Sequence, residues 1–336
     1  MWMLNNITPF EAERTWVREK DGAHHWIVVV KATYDIRMDG SLCLSENPVA
    51  PLYAAEFNGE NGQTSLRFEA DLIAMKPATD VYLNANAYAP DARPCTKVNV
   101  SLRISGLYKE LIVYGHRTWQ RSIFGGLVPS SPKPFKSRPI IYEYAYGGYD
   151  PSDPNPQKQC IDYRNPVGTG VAMSKRSLLA KSAPSIENPT LRLGKGWPAG
   201  FGAIASYWSP RKELAGTYDE AWMARRRPLL PLDYNPKWLL CSPLDQQIHG
   251  YLKGGEPVEL INLTPNGRLR FTLPKVDLYF ETYFGTTRKE HTAELVTITI
   301  ESEGPRLIMV WQTSLPCGND GDYLDRTVIQ YETRSL

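Results

Sequence analysis

Four carboxylates and one histidine pair are the residues of this chain whose types and spacing could do chemistry. Glu69-Ala70-Asp71 sets two carboxyl groups two positions apart, which on a strand places both on one face. With Asp80 and Glu143, such a pair could flank a glycosidic bond. One group would protonate the leaving oxygen and the other would attack or activate water. That is the chemistry of a carbohydrate-active hydrolase using Asp71, Asp80 or Glu143. The same residues have a plainer use, because short acidic side chains accept hydrogen bonds from backbone amides and fix loops. Nothing in the sequence brings a nucleophile or metal to them, so loop fixing is the first reading and the hydrolase the alternative.

His24-His25 opens an apolar run. Adjacent strand residues face opposite sides, so the pair cannot readily share one metal and reads as two exposed histidines on a sheet edge. His116, His249 and His291 are isolated, and the cysteines at 43, 95, 160, 241 and 317 form no CxxC pair. No metal site and no cofactor are therefore expected. The cysteines read as reduced, mostly buried thiols. A GxSxG elbow and a GxxxxGK[ST] phosphate loop are both missing, so no catalytic residue is assigned.

The elements that must position these side chains are mostly strands. Trp26 to Ile36 is β-branched and aromatic, and the turn Met38-Asp39-Gly40-Ser41 returns it to Leu42–Leu44 as a hairpin. Residues 65–71, 80–88, 97–105 and 109–114 read as further strands. Within 97–105, Val98, Val100, Leu102 and Ile104 alternate with Asn99, Ser101 and Arg103, which buries one face and wets the other. Toward the C-terminus, 257–263 and 269–273 flank the turn Thr264-Pro265-Asn266-Gly267, and 276–283, 293–301 and 306–312 complete a meander. The middle differs. More than half of the 27 prolines fall between Pro129 and Pro243, a density that excludes long helices and central strands. A short helix is expected at Thr217–Arg227, capped near Thr217 or Asp219 and stopped by Pro228. Interleaved aromatics make this middle an ordered coat of loops rather than a linker.

These signals predict a mainly β protein, with antiparallel β-sandwich-like lobes, a long Pro/Gly/aromatic-rich loop region and few short helices. The expected division is a β-rich lobe over 1–116, a loop-rich middle over 117–255 packed on the sheets, and a β-rich lobe over 256–336, open to being one continuous domain. With 336 residues, 42% hydrophobic and 22% charged, the chain has the composition of a soluble globular protein. Its net charge of +2, from 38 basic and 36 acidic residues, supplies no field for nucleic acid. The N-terminus lacks the pattern of a secretory signal. The longest apolar run, Trp26 to Val30, is too short to span a bilayer. The expectation is a cytoplasmic protein without membrane insertion.

Six irregular segments follow neither helical nor strand periodicity. They are Lys133-Pro134-Phe135, Tyr142 to Gly148, Asn165-Pro166-Val167-Gly168, Pro198-Ala199-Gly200-Phe201-Gly202, Ala215 to Asp219, and Asp245-Gln246-Gln247. With Thr8-Pro9-Phe10, Val29 to Ile36, Phe68-Glu69-Ala70-Asp71-Leu72, Lys76 to Val81, Trp208-Ser209-Pro210-Arg211 and Pro228-Leu229-Leu230-Pro231, they resemble a bacterial domain-of-unknown-function family encoded beside type VI secretion spike and toxin proteins. The resemblance runs from Asn6 to about Val328 and implies an effector adaptor or chaperone that loads a toxin or spike-tip protein. It carries over no catalytic residue. A structural spike component is a further alternative. Thr287–Glu290 and Gly318–Asp322 look locally variable against that pattern. An adaptor would use exposed sheet edges for an added strand and aromatic anchors, for which Trp197, Phe201, Trp208 and Trp222 are the candidates.

Overall fold

The run of β-branched residues after His25 becomes the longest strand of the protein, His24–Ile36. In the computed structural model, which describes residues 2–191, 193–317 and 323–333, this strand lies inside a sheet rather than at its edge. It pairs antiparallel with Glu11–Arg18 on one side and Arg306–Pro316 on the other. Glu294–Glu301 and then Asp80–Asn84 extend the sheet, the last pairing parallel, and Leu42–Leu44 folds back as the expected hairpin. The histidine pair is therefore not on an edge strand. His24 is exposed and meets the Arg18 guanidinium, while half-buried His25 shares a 2.8 Å hydrogen bond with the Ser314 hydroxyl.

Both faces of this sheet are covered, which is why its central strand reads as a continuous apolar run. Trp26, Val28, Val30, Ala32, Tyr34 and Ile36 enter the main core. Ile27 and Val29 pack on Val296 and Val310 in a smaller core on the opposite face. Lys31 and Thr33 share that second face. Lys31 meets Asp71 at 2.7 Å, and the Thr33 hydroxyl accepts the Val49 amide, so the chain between the early strands is laid across the sheet by polar contacts.

The second sheet has the order 186–187, 107–114, 97–104, 257–261, 268–272. Its alternation is as read: Val98, Val100, Leu102 and Ile104 are buried and join Leu111, Val113, Leu260 and Phe271 in the same main core as Trp26. A third sheet joins Met3–Asn6 to Leu324–Thr333, then Val276–Phe284 and Thr287–Thr292. The protein is mainly β, with 42% strand and 10% helix.

Separate N- and C-terminal lobes do not exist. All three large sheets hydrogen-bond strands of residues 1–116 to strands of residues 256–336, so the two β-rich stretches share their sheets. Thr287–Glu290, read as a variable loop, lies in the strand Thr287–Thr292; Gly318–Asp322 lies outside the described residues. The middle is the expected coat of short pieces. Its two α-helices among the described residues are Arg211–Leu214 and Glu220–Arg225, and the Asp219 carboxylate caps the latter by accepting the Trp222 amide at 2.8 Å. None of the five cysteines forms a disulfide; Cys241 and Cys317 are buried and the other three half-buried.

Candidate functional site

The strand Asp80–Asn84 ends its sheet, and an edge exposes unpaired backbone groups. Here it is covered. The Leu83 amide donates to the Phe201 carbonyl at 3.0 Å, and buried Gln246 donates its amide group to both the Val81 and Phe201 carbonyls at 2.9 Å. Next to it, buried Lys109 reaches the Asp245 carboxylate at 2.8 Å. Burial holds the Lys109 ammonium below its ordinary value despite that carboxylate. The segments Pro198–Gly202 and Asp245–Gln247, irregular in sequence, are thus a built cover for a sheet edge. A similar logic joins Tyr142–Gly148 to Asn165–Gly168. The Asn165 amide group donates to the Tyr142 and Tyr146 carbonyls, and a side chain at Gly147 would collide with the Asn165 backbone.

Asp80 is fully buried at the head of this edge strand. One carboxylate oxygen accepts the Cys241 amide and the Lys76 ammonium, and the other accepts the Ser242 amide and hydroxyl, all between 2.6 and 3.1 Å. Burial opposes its charge, but Lys76 and these donors outweigh burial and hold the carboxyl below its ordinary value. Burial would lower the Lys76 ammonium, but the Asp80 carboxylate together with nearby Cys241 and Glu69 outweighs it and raises the group. Thr297 supplies a further acceptor to Lys76 at 2.9 Å. Asp71 is likewise engaged, with Lys31 and the Leu52 amide on one oxygen. Glu69 joins Arg211 at 2.6 Å, and Glu143 accepts the Ser65 amide and hydroxyl at 2.8 Å. The carboxylates singled out for a hydrolase are thus anchored to different partners as loop-fixing groups. Among the described residues, no three His, Cys, Asp or Glu side chains gather to hold a metal.

What the network positions is an apolar cleft. Cys241–Ser242, held by Asp80, continues into Pro243 and Leu244 on one wall. Trp197, Pro198 and Ile204 form the other, with Pro210 and Leu214 alongside. Arg211 beside the cleft is fixed: its guanidinium donates to the Trp238 and Ile204 carbonyls and to Glu69. The cleft is narrow, about 50 Å³, room for one aliphatic side chain. Trp197 and Leu244 are each 47% exposed beside it. A larger cleft of about 510 Å³, of mixed polar and apolar lining, runs past Ser65, Arg67, Asn84, Asn86, Ile140 and Glu301. Its strongest charges are already paired, since Glu301 is bonded by both Arg67 and Arg306.

The four aromatic anchor candidates separate. Phe201 and Trp208 are fully buried, packed in the main core; they cannot touch a partner and do not line the cleft. Trp197 lines the cleft. Trp222 is half-buried on its short helix, its indole N–H donating to the Leu229 carbonyl and its ring meeting Tyr218 edge-on at 4.7 Å. Of the cleft's lining, sequence reasoning singled out only Trp197 as an anchor; half-exposed Leu244 was missed, its only signal being a place between Pro243 and Asp245.

No curated protein and no solved structure matches the chain. A family model described as an uncharacterized protein conserved in bacteria matches residues 21–312. With most of its length matched, the chain belongs to this bacterial family, DUF2169.

Proposed function

We propose that this protein is a binding protein, an adaptor or chaperone that receives an apolar segment of a protein effector in the Trp197–Leu244 cleft. The observation that carries this reading is that Trp197 and Leu244, each half-exposed, line one apolar cleft whose Ser242 is anchored by buried Asp80. Large apolar side chains that a protein holds open to water on a rigid frame are typical interface anchors. The cleft's fixed walls also lower the ordering cost of binding. On the resemblance to a family encoded beside type VI secretion spikes and toxins, the proposed partner is a toxin effector or spike-tip protein, bound in the cytoplasm before export.

Added-strand binding at a sheet edge has weaker support. The Asp80–Asn84 edge is covered by Phe201 and Gln246. Glu11–Arg18 and Thr287–Thr292 are rich in charged side chains, a common guard against strand addition.

The test is co-expression with the effector and spike-tip proteins of the same locus. Wild-type protein should co-purify with one of them and raise its abundance, and Trp197→Ala/Leu244→Ala should lose the complex while keeping its melting temperature. Normal effector abundance and secretion without this protein, together with no complex, would overturn the reading.

A further inference from the structure

Arg117–Arg121 and Leu127–Pro129 form a hairpin whose tip carries Ile123 and Phe124, 94% and 92% exposed. No other large apolar side chains among the described residues stand so far into solvent. The tip is built, not frayed. The Ser122 amide donates to the Gly126 carbonyl, the Gly125 amide returns to Ser122, and the Ser122 hydroxyl accepts the Gly126 amide. Gly125 takes the left-handed backbone (φ 77°) that closes the turn. Below the tip, Trp119 packs with Leu178 and Ala183 in a small separate core that braces the hairpin.

Charge around this hairpin is one-sided. Residues 111–142 hold five Lys and Arg and residues 163–186 hold four, with no Asp or Glu in either segment. That leaves 29 of the 38 basic residues against all 36 acidic ones elsewhere. The near-neutral whole hides a basic surround to this hairpin. The two segments meet where Arg117–Arg121 pairs with Ser182–Ala183. Arg121, Lys133, Lys136, Lys175, Arg176 and Lys181 are exposed, and none forms an ion pair among the described residues. The bordering carboxylates are engaged: Asp150 accepts the Met173 and Ser152 amides and lies near Lys181, Asp162 is held by Arg164, and Glu187 by Arg117.

We infer that this hairpin is a peripheral docking device for an anionic lipid surface. Ile123 and Phe124 would enter the headgroup boundary, and the basic collar would rest on phosphates. Stable attachment needs two signals, an apolar insertion and a basic patch; here the hairpin tip supplies the first, and Arg121 with the lysines and arginine of the segments beside the hairpin supplies the second. The projecting tip suits a lipid layer, which yields around an inserted side chain and offers no fixed socket. No helix among the described residues is long and apolar enough to cross a membrane; this is contact with a surface. The inference does not depend on the cleft.

The experiment is sedimentation of the purified protein with vesicles of phosphatidylcholine alone or mixed with phosphatidylglycerol, at low and high salt. Binding should appear with phosphatidylglycerol only and weaken with salt. Ile123→Ser/Phe124→Ser should cut affinity by roughly tenfold or more, and Lys175→Glu or Lys181→Glu by about fivefold or more per site. Melting temperatures should not change, since all four side chains are exposed. No binding to phosphatidylglycerol vesicles, or equal binding by the Ile123/Phe124 variant, would overturn the inference. So would loss of a co-purifying protein by that variant when wild type ignores vesicles, because the tip would then be a protein contact. Loss of effector binding by Trp197→Ala with unchanged vesicle binding would leave it standing.

Discussion

The Asp80 carboxylate grips the backbone amide and the hydroxyl of Ser242, 162 residues away in sequence, at 3.1 and 2.6 Å. Through this contact a buried charge on an edge strand sets one wall of the apolar cleft. Asp80→Asn would leave the Lys76 ammonium buried without its counter-charge, which costs about 3–5 kcal/mol in comparable buried pairs. Denaturant unfolding should show that loss. Lys76→Met/Asp80→Asn should cost less than the two single changes together, because the orphaned charge is gone. Unchanged stability in Asp80→Asn would contradict the anchoring role.

Trp197 and Phe201 are four residues apart and should behave oppositely. Phe201→Ala opens a cavity in the main core and should cost about 3–5 kcal/mol. Trp197→Ala removes a half-exposed ring and should stay within roughly 1 kcal/mol of wild type, while weakening partner capture. A Trp197→Ala protein as unstable as Phe201→Ala would show that the ring is structural.

His291 gives the fold a pH dependence. Its imidazole is bonded to the Thr282 and Thr313 hydroxyls at 2.8 and 2.7 Å and stacked on Phe280. Burial lowers it from 6.5 to about 4. The unfolded chain takes up a proton as pH falls below about 6.5, and the native chain resists until about 4. The contribution to stability is therefore complete above that upper value and drains away across the window, by roughly 3 kcal/mol in total. Unfolding free energies measured through this range should fall more steeply for wild type than for His291→Gln. Parallel curves would exclude His291 as the source.

How much of this could be read from the chain follows from where the periodicity survives. Val98 to Ile104 alternates because one face is wet, and Trp26 to Ile36 runs apolar because both are covered, so both strands were legible. Glu11–Arg18 and Thr287–Thr292 were not: they are edge strands with mixed or exposed faces, so charges fall at both parities. The Asp219 cap was legible because capping is local. The cleft was not. Phe201, Trp208 and Trp197 sit in similar Gly/Pro surroundings, and only tertiary contacts decide which two enter the core and which lines the cleft. The pairs Lys31–Asp71 and Glu69–Arg211 are likewise invisible at separations of 40 and 142 residues; Lys76–Asp80, four apart, was the one buried pair lying within a single sequence motif.

Gln246 offers the sharpest check on the edge cover. Its side-chain amide group reaches the Val81 and Phe201 carbonyls together, and the Leu83 amide closes on Phe201 from the strand. Gln246→Met keeps length and apolar volume but removes both donors, leaving the buried Val81 carbonyl without this partner. The cost should be about 1–3 kcal/mol. It should also be local: with Phe201 less firmly held, the Leu83 amide should exchange faster with solvent, whereas the Val100 amide in the second sheet should change only by the global stability loss. Amide exchange followed by NMR or mass spectrometry separates the two. Uniform acceleration at Leu83 and Val100 would mean that Gln246 contributes to the core in general, and Leu83 protection equal to wild type would mean that the edge is closed by the Phe201 backbone alone.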